Sequence, residues 1–223
     1  MLECCILFSH YGNDETTREH LALLRERNPY PVVAVCNDAA RRVEEALDVN
    51  LLSKAGSLEH KWLSPDRILY RWFRHGGLRA RRYIFLEWDT LATMPVREYY
   101  DEVWDADAAG STAKRIEHEP EWEWFRQMPR LPGPLRAKAG GIVPFNGILL
   151  SHRALEAVTS GPIPPNVFCE LRLGTLLRNA GFEAQTFSPE KQRTNSFDRR
   201  LIDFDPVRPG IYHPIKSREA AIV

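Results

Sequence analysis

Three stretches of this chain are apolar at every position: Cys4 to Phe8 in "CCILFSHY", Val32 to Cys36 in "PVVAVCND", and Tyr83 to Leu86 in "YIFLEWDT". Side chains along a strand alternate between its two faces, so a strand that is apolar throughout is buried on both. Helical patterns separate the three. "NDETTREHLALLRERN" has Asn13 or Asp14 as its N-cap, with Leu21 and Leu24 on its inner face. "AARRVEEAL" follows the second strand. "SPDRILYRWFRHGG" opens at Ser64, holds Pro65 in its first turn and stops at Gly76-Gly77. This alternation predicts an α/β fold with a parallel sheet covered on both faces. Ligands of such sheets bind outside the carboxyl ends of the strands. The residues there are Ser9-His10-Tyr11, Asn37-Asp38 and Glu87-Trp88-Asp89.

The second half is less regular. "VWDADAAG" predicts a short strand, and "GIVPFNGILLS" two short strands around Asn146-Gly147. "SHRALEAVTS" and "NVFCELRLGTLLRNAG" predict helices, the second stopped by Gly181, and "FEAQTF" a strand. Residues 111–140 are rich in Pro, Gly, Trp and charge, and predict a long loop with one helix at most; such loops in compact domains are often functional. The tail holds several prolines and little periodicity. With 223 residues and no internal repeat, we expect a single domain over 1–223, in which 1–90 form one half and 91–223 the other.

Composition narrows the function. Thirty basic residues balance thirty acidic ones, which argues against a general nucleic-acid binder. The start "MLECCILFSHYGN" lacks a basic leader, and no apolar run is long enough to span a bilayer. Cys4, Cys5, Cys36 and Cys169 form no C-x-x-C pair. They predict buried, reduced thiols in a cytoplasmic protein and argue against a zinc site.

The acids after the third strand carry the most information. Residues two apart on a strand share a face, so Glu87 and Asp89 repel each other unless something compensates. A divalent cation does so, and Mg2+ or Mn2+ takes oxygen ligands together with substrate phosphates. Two other readings stand beside this. The acids are solvated turn residues, or partners of Arg79, Arg81 or Arg82. Alternatively "LEWDT" follows the D-x-D-x-T spacing of haloacid-dehalogenase-type phosphatases, with Glu87 where the nucleophilic aspartate belongs. The tail segment "GIYHPIK" adds His213, an imidazole suited to a metal, and Lys216, an ammonium suited to a phosphate.

In order and spacing these features resemble the glycosyltransferases of the GT-A fold, which use nucleotide-diphospho-sugar donors. The resemblance runs from "CILFSHYGNDETTREHLALLRE" to "IYHPIK". It implies a mixed, mostly parallel sheet flanked by helices, with 1–90 as the nucleotide-binding half and 91–223 as the acceptor-binding half. It implies donor contacts from Ser9, His10 and Tyr11, base recognition by Asn37 or Asp38, and an arginine from Arg71 or Arg67. It places the cation, Mn2+ or Mg2+, on Glu87, Asp89 and His213, and the diphosphate on Lys216. Asn146 and Gly147 would approach the sugar, and Glu170 would be the general base of an inverting enzyme. The chain departs from the family pattern at Glu87, in place of Asp, and at Cys169-Glu170, where inverting members carry Glu-Asp. The implied partners are a nucleotide-sugar donor, UDP being the common case, and a glycan, lipid-linked or small-molecule acceptor. Trp122 and Trp124 are candidates for stacking on a sugar. A non-catalytic relative that binds nucleotide sugar is the main alternative. A nucleotidyltransferase is disfavoured, because "SHYGNDETT" has one glycine where those enzymes carry a Gly-rich loop.

Overall fold

The computed structural model describes residues 1–10, 14–36, 64–205 and 207–216, together with the backbone of 47–48. In chain order the strands are β1 (Leu2–His10), β2 (Val32–Cys36), β3 (Leu47–Asp48), β4 (Ala80–Glu87), β5 (Leu91–Ala92), β6 (Ala108–Gly110), β7 (Thr112–Arg115), β8 (Gly140–Val143), β9 (Ile148–Ser151), β10 (Gln185–Thr186) and β11 (Ile211–Tyr212). The helices are α1 (Glu15–Arg27), α2 (Asp66–Arg74), α3 (Val96–Tyr99), α4 (Gly133–Arg136), α5 (His152–Ser160), α6 (Cys169–Asn179) and α7 (Pro189–Gln192).

Seven strands form one sheet in the order β10-β6-β9-β4-β1-β2-β3. Neighbours pair in parallel except around β9, which runs antiparallel to both β4 and β6. The architecture is therefore a mixed, mostly parallel α/β sheet flanked by helices. The apolar strands divide as their pleat requires. Cys5, Leu7, Tyr83 and Phe85 pack on one face, under Ile68 and Trp72 of α2, Leu155 of α5 and Leu173 of α6. Cys4, Ile6, Phe8, Ile84 and Leu86 pack on the other, against Leu21 and Leu24 of α1 and the aromatic residues around α3. All four cysteines are buried and none forms a disulfide. No helix among the described residues is long and apolar enough to cross a membrane.

Some local expectations hold and others change. Asp14 caps α1, accepting from the Thr17 backbone N–H at 2.7 Å. Ser64 does not cap α2 with its side chain; its carbonyl accepts from Arg67 N–H instead. Of the helix expected over 39–47 only Leu47 is described, and it begins β3; Asn13 and Trp62 also lie outside the described residues. The two strands around Asn146-Gly147 do not pair with each other. β8 joins β7 in a separate two-stranded sheet, while β9 enters the main sheet beside β4. The expected long loop is built rather than open. It contains β7, a 3-10 helix over Glu123–Arg130 and α4, closed over a small core of Phe125, Leu131, Ala139, Val167 and Leu171.

Candidate active site

The acid turn sits where β4 ends. Ser9 is in register with Glu87, and His10 with Cys36, so β1, β2 and β4 finish at one edge of the sheet. The strand stops at Glu87, and Trp88 and Asp89 form a turn. The two acids thus converge through a turn and not through the strand pleat. Backbone contacts pin this turn from three sides. Thr90 N–H donates to the Glu87 carbonyl at 3.0 Å, Ile215 N–H donates to the Asp89 carbonyl at 2.7 Å, and His20 Nδ1 lies 3.0 Å from the Trp88 carbonyl.

The chain then delivers His213 to the acids. β5, immediately after the turn, pairs antiparallel with β11, Leu91 opposite Tyr212. That register sets His213 beside Asp89. His213 also forms a bridge with Asn195, and its N–H donates to the Thr194 carbonyl at 3.0 Å. Its Nδ1 lies 2.7 Å from the Ser196 carbonyl, which can only accept, so Nδ1 carries a hydrogen. Nε2 therefore faces the acids, 3.3 Å from Asp89 Oδ1 and 3.4 Å from Glu87 Oε2.

The three ligand atoms lie within 4.8 Å of one another. Two carboxylates and an imidazole form a donor set that divalent Mn2+ or Mg2+ accepts. Adjacent ligands around an octahedral ion with bonds of 2.0 to 2.1 Å are about 3 Å apart, so small movements would bring all three into contact with one ion. The Nδ1 hydrogen bond fixes the ring with Nε2 inward, as outer-shell partners of metal-ligating histidines do. In the metal-free protein a proton does the same work. Burial disfavours a charged His213, but hydrogen bonds to Asp89 and Glu87 and the charges of both outweigh it, pushing the imidazole up to about 10. Burial also opposes the Asp89 charge, and His213 together with Lys216 outweighs it, so the carboxyl lies below its usual range.

The triad opens into a cleft of about 360 Å³. Lys216, exposed at the last described position, borders it, and so does Glu170 from the first turn of α6. Glu170 is 6% exposed, and its Oε1 accepts from the Phe145 backbone N–H at 3.0 Å. Burial pushes its carboxyl up to about 8, the one backbone hydrogen bond opposing and the charges of Glu87 and Glu123 adding to the shift. Much of the rest of the lining is aromatic: Trp88, Trp122, Trp124, Phe145, Phe168 and Phe197. Trp124 stacks on Phe168 with ring centroids 4.0 Å apart. Trp122 lies over Gly141 of β8, where a Cβ would sit 2.4 Å from the indole. Phe197 is 72% exposed.

Of the residues singled out in the sequence, the structure thus brings Glu87, Asp89, His213, Lys216 and Glu170 to one cleft. Ser9 and His10 lie behind it, both fully buried at the end of β1. Asn146 does not line the cleft; it is 1% exposed and holds the acid turn. Its Oδ1 accepts from Glu87 N–H at 2.7 Å and from the Thr90 hydroxyl at 2.8 Å. Gly147, at φ +77°, turns the chain into β9, and its N–H donates to the Phe85 carbonyl at 2.8 Å. Arg71 borders a different hollow, shared with Arg67, Arg74 and His75. Tyr11, Asn37 and Asp38 lie outside the described residues.

Sequence reasoning missed Asn195. Its side chain is locked to Asn146 by two hydrogen bonds, 3.2 Å and 3.1 Å, which couple the acid turn to the strand of His213. An asparagine within "RTNSF" gives no signal of this. It also missed a fully buried ion pair, Arg172 with Asp66, at 2.6 Å and 2.5 Å. Arg172 further donates to the carbonyls of Val167 and Pro164, and so holds the segment that leads into Phe168 and Glu170.

No family model and no curated protein matches the chain. Among solved structures, one similar chain is galactosyltransferase LgtC, crystallised with donor and acceptor sugar analogs. It is 14% identical over 80% of this chain and 70% of that one, with a TM-score of 0.42. A likeness this distant carries no functional weight.

Proposed function

We propose that this protein is a GT-A-like glycosyltransferase that moves a sugar from a nucleotide-diphospho-sugar, UDP-linked in the first instance, to an acceptor hydroxyl, using Mn2+ or Mg2+. One observation carries the reading: Glu87, Asp89 and His213 bring their ligand atoms within 4.8 Å of one another in the lining of a cleft at the carboxyl end of a central strand. Ligand sites of open α/β sheets lie at such places.

Glu87, Asp89 and His213 would hold the cation. When bound, it neutralises charge on the donor's diphosphate and on the nucleoside diphosphate that leaves. Lys216 supplies a further positive charge on the same side of the cleft. Asn146 and Asn195 keep the acid turn and His213 in mutual register. Glu170, which lines the same cleft, takes the proton of the attacking acceptor hydroxyl in the inverting form of the reaction. A base whose pKa lies near the working pH suits that task, and activity should then rise with pH toward about 8. The aromatic wall excludes water and offers flat faces to sugar rings. Tyr11, Asn37 and Asp38 remain candidates for the nucleobase.

The test is donor turnover without acceptor. Incubated with UDP-sugars and Mn2+, the protein should release nucleoside diphosphate slowly, and chelation or Asp89→Ala should abolish the release. Absence of turnover with every nucleotide sugar tried, in the presence of metal and a panel of acceptors, would overturn the enzymatic reading.

A further inference from the structure

Beside the cleft lies a second hollow, of about 530 Å³. Phe168, stacked on Trp124, lines both spaces, so the two are neighbours on either side of one ring. The character of the wall changes there. In place of acids and aromatics the second hollow presents Arg67 of α2, Arg130 at the end of the 3-10 helix, Ser64, Gln127 and Asn166. No aspartate or glutamate among the described residues lines it.

Asp66, the residue before Arg67, is fully buried and committed by both oxygens to Arg172. Burial and the Arg172 charge disfavour the Arg67 charge, and the Asp66 charge offsets them only in part. Arg130 makes only a long hydrogen bond, 3.3 Å, to the Asn166 carbonyl, and among the described residues neither Arg67 nor Arg130 pairs with a carboxylate. Asn166 stands at φ +57°, in the left-handed region that asparagine adopts more readily than other non-glycine residues. Two guanidinium groups with free donors, facing a space with no acid, fit a phosphate ester better than a neutral sugar.

We propose that this hollow is an acceptor subsite for an anionic group, a phosphate ester carried on a sugar. The inference rests on the transferase reading for the word acceptor, and on the two arginines for the anion. It divides the cleft by charge: the donor's diphosphate goes to the acid and cation end, and the acceptor's phosphate goes to the arginine end. The aromatic wall between them receives the ring whose hydroxyl attacks.

The test separates the two ends. With chelator present, binding of glucose 1-phosphate, inorganic phosphate and glucose is followed by tryptophan fluorescence and calorimetry. Glucose 1-phosphate should bind tightest and inorganic phosphate should compete with it; glucose should be weakest. Arg67→Gln and Arg130→Gln should each weaken the sugar phosphate by about tenfold. Arg130→Gln should leave Mn2+-dependent nucleotide binding unchanged, and urea unfolding like that of the native protein shows that both variants are folded. Binding of glucose 1-phosphate no tighter than glucose, or indifferent to both substitutions, overturns the subsite. Inorganic phosphate binding as tightly as glucose 1-phosphate overturns the sugar half of the inference. Sugar-phosphate binding that needs both arginines, in a protein that binds no nucleotide with metal, instead overturns the transferase reading and the acceptor assignment with it.

Discussion

Replacing Glu170 by Gln should stabilise the protein, and by an amount that grows with pH. The carboxyl is buried, and its pKa is about 8 in the folded chain against 4.5 for a free glutamate. The folded state therefore holds this proton more tightly than the unfolded state does. The stability it supports is fully present below about pH 4.5 and is lost as pH rises toward 8. Each pH unit in that interval is worth at most about 1.4 kcal/mol, so about 3 kcal/mol disappears between pH 5 and pH 8. Relaxation and water entry reduce the figure, and about 1 to 3 kcal/mol is the range to expect. Glutamine mimics the protonated acid, and its carbonyl can still accept from Phe145 N–H. Urea unfolding of both proteins at pH 5, 6.5 and 8 reads the difference directly. The variant should be nearly equal to wild type at pH 5 and more stable at pH 8, while losing transfer activity. A stability difference that does not change with pH would refute the burial argument.

The remaining predictions concern the parts that hold the site. Binding Mn2+ must displace the proton shared by His213 and the acids, whose pKa is about 10. Affinity should therefore rise by up to about tenfold per pH unit between pH 6 and 8, with proton release visible in buffers of different ionisation enthalpy; pH-independent affinity would contradict the proposed ligand. Asp66→Ala leaves Arg172 buried without its partner and should cost about 3 to 5 kcal/mol in denaturant unfolding; a cost under about 1 kcal/mol would contradict the ion pair's role. Gly147→Ala would place a Cβ 2.5 Å from Asn195 Nδ2 in a left-handed turn. It should destabilise by about 1 to 3 kcal/mol and weaken metal binding through the Asn146–Asn195 lock; unchanged stability and affinity would show that the turn relaxes freely.

The framework of the fold was legible because β1, β2 and β4 are buried on both faces, and burial on both faces removes polar residues from the pattern. The same contrast made the site visible. Glu87 and Asp89 interrupt an apolar run, and His213 and Lys216 stand out in a tail with little else to offer chemistry. What could not be read is pairing carried by short elements. β5 and β11 have two residues each, too few for any periodicity, yet their register sets His213 against Asp89. β8 and β9 look like partners across Asn146-Gly147, but β8 pairs with β7 and β9 with β4, and the four residues in each, all but Ser151 apolar or glycine, carry no mark of which partner is taken. Arg172 carries no sign of its partner in the sequence, and only the helix packing brings it to Asp66 in the core. Asn146 stood out in the sequence, and the structure shows it holding the acid turn. A polar residue in a tight turn signals function, but not whether it touches a substrate or supports the residues that do.

The central claim is that Glu87, Asp89 and His213 form one cation site that serves a nucleotide diphosphate. Calorimetric titration of UDP and GDP, with and without Mn2+, tests it on the native protein and on Asp89→Ala and His213→Ala. The account predicts nucleotide binding that requires the metal and is weakened at least about tenfold by either substitution, as loss of one metal ligand entails. Binding indifferent to the metal and to both substitutions would contradict it, and would return the two acids to the role of a proton-bridged structural turn.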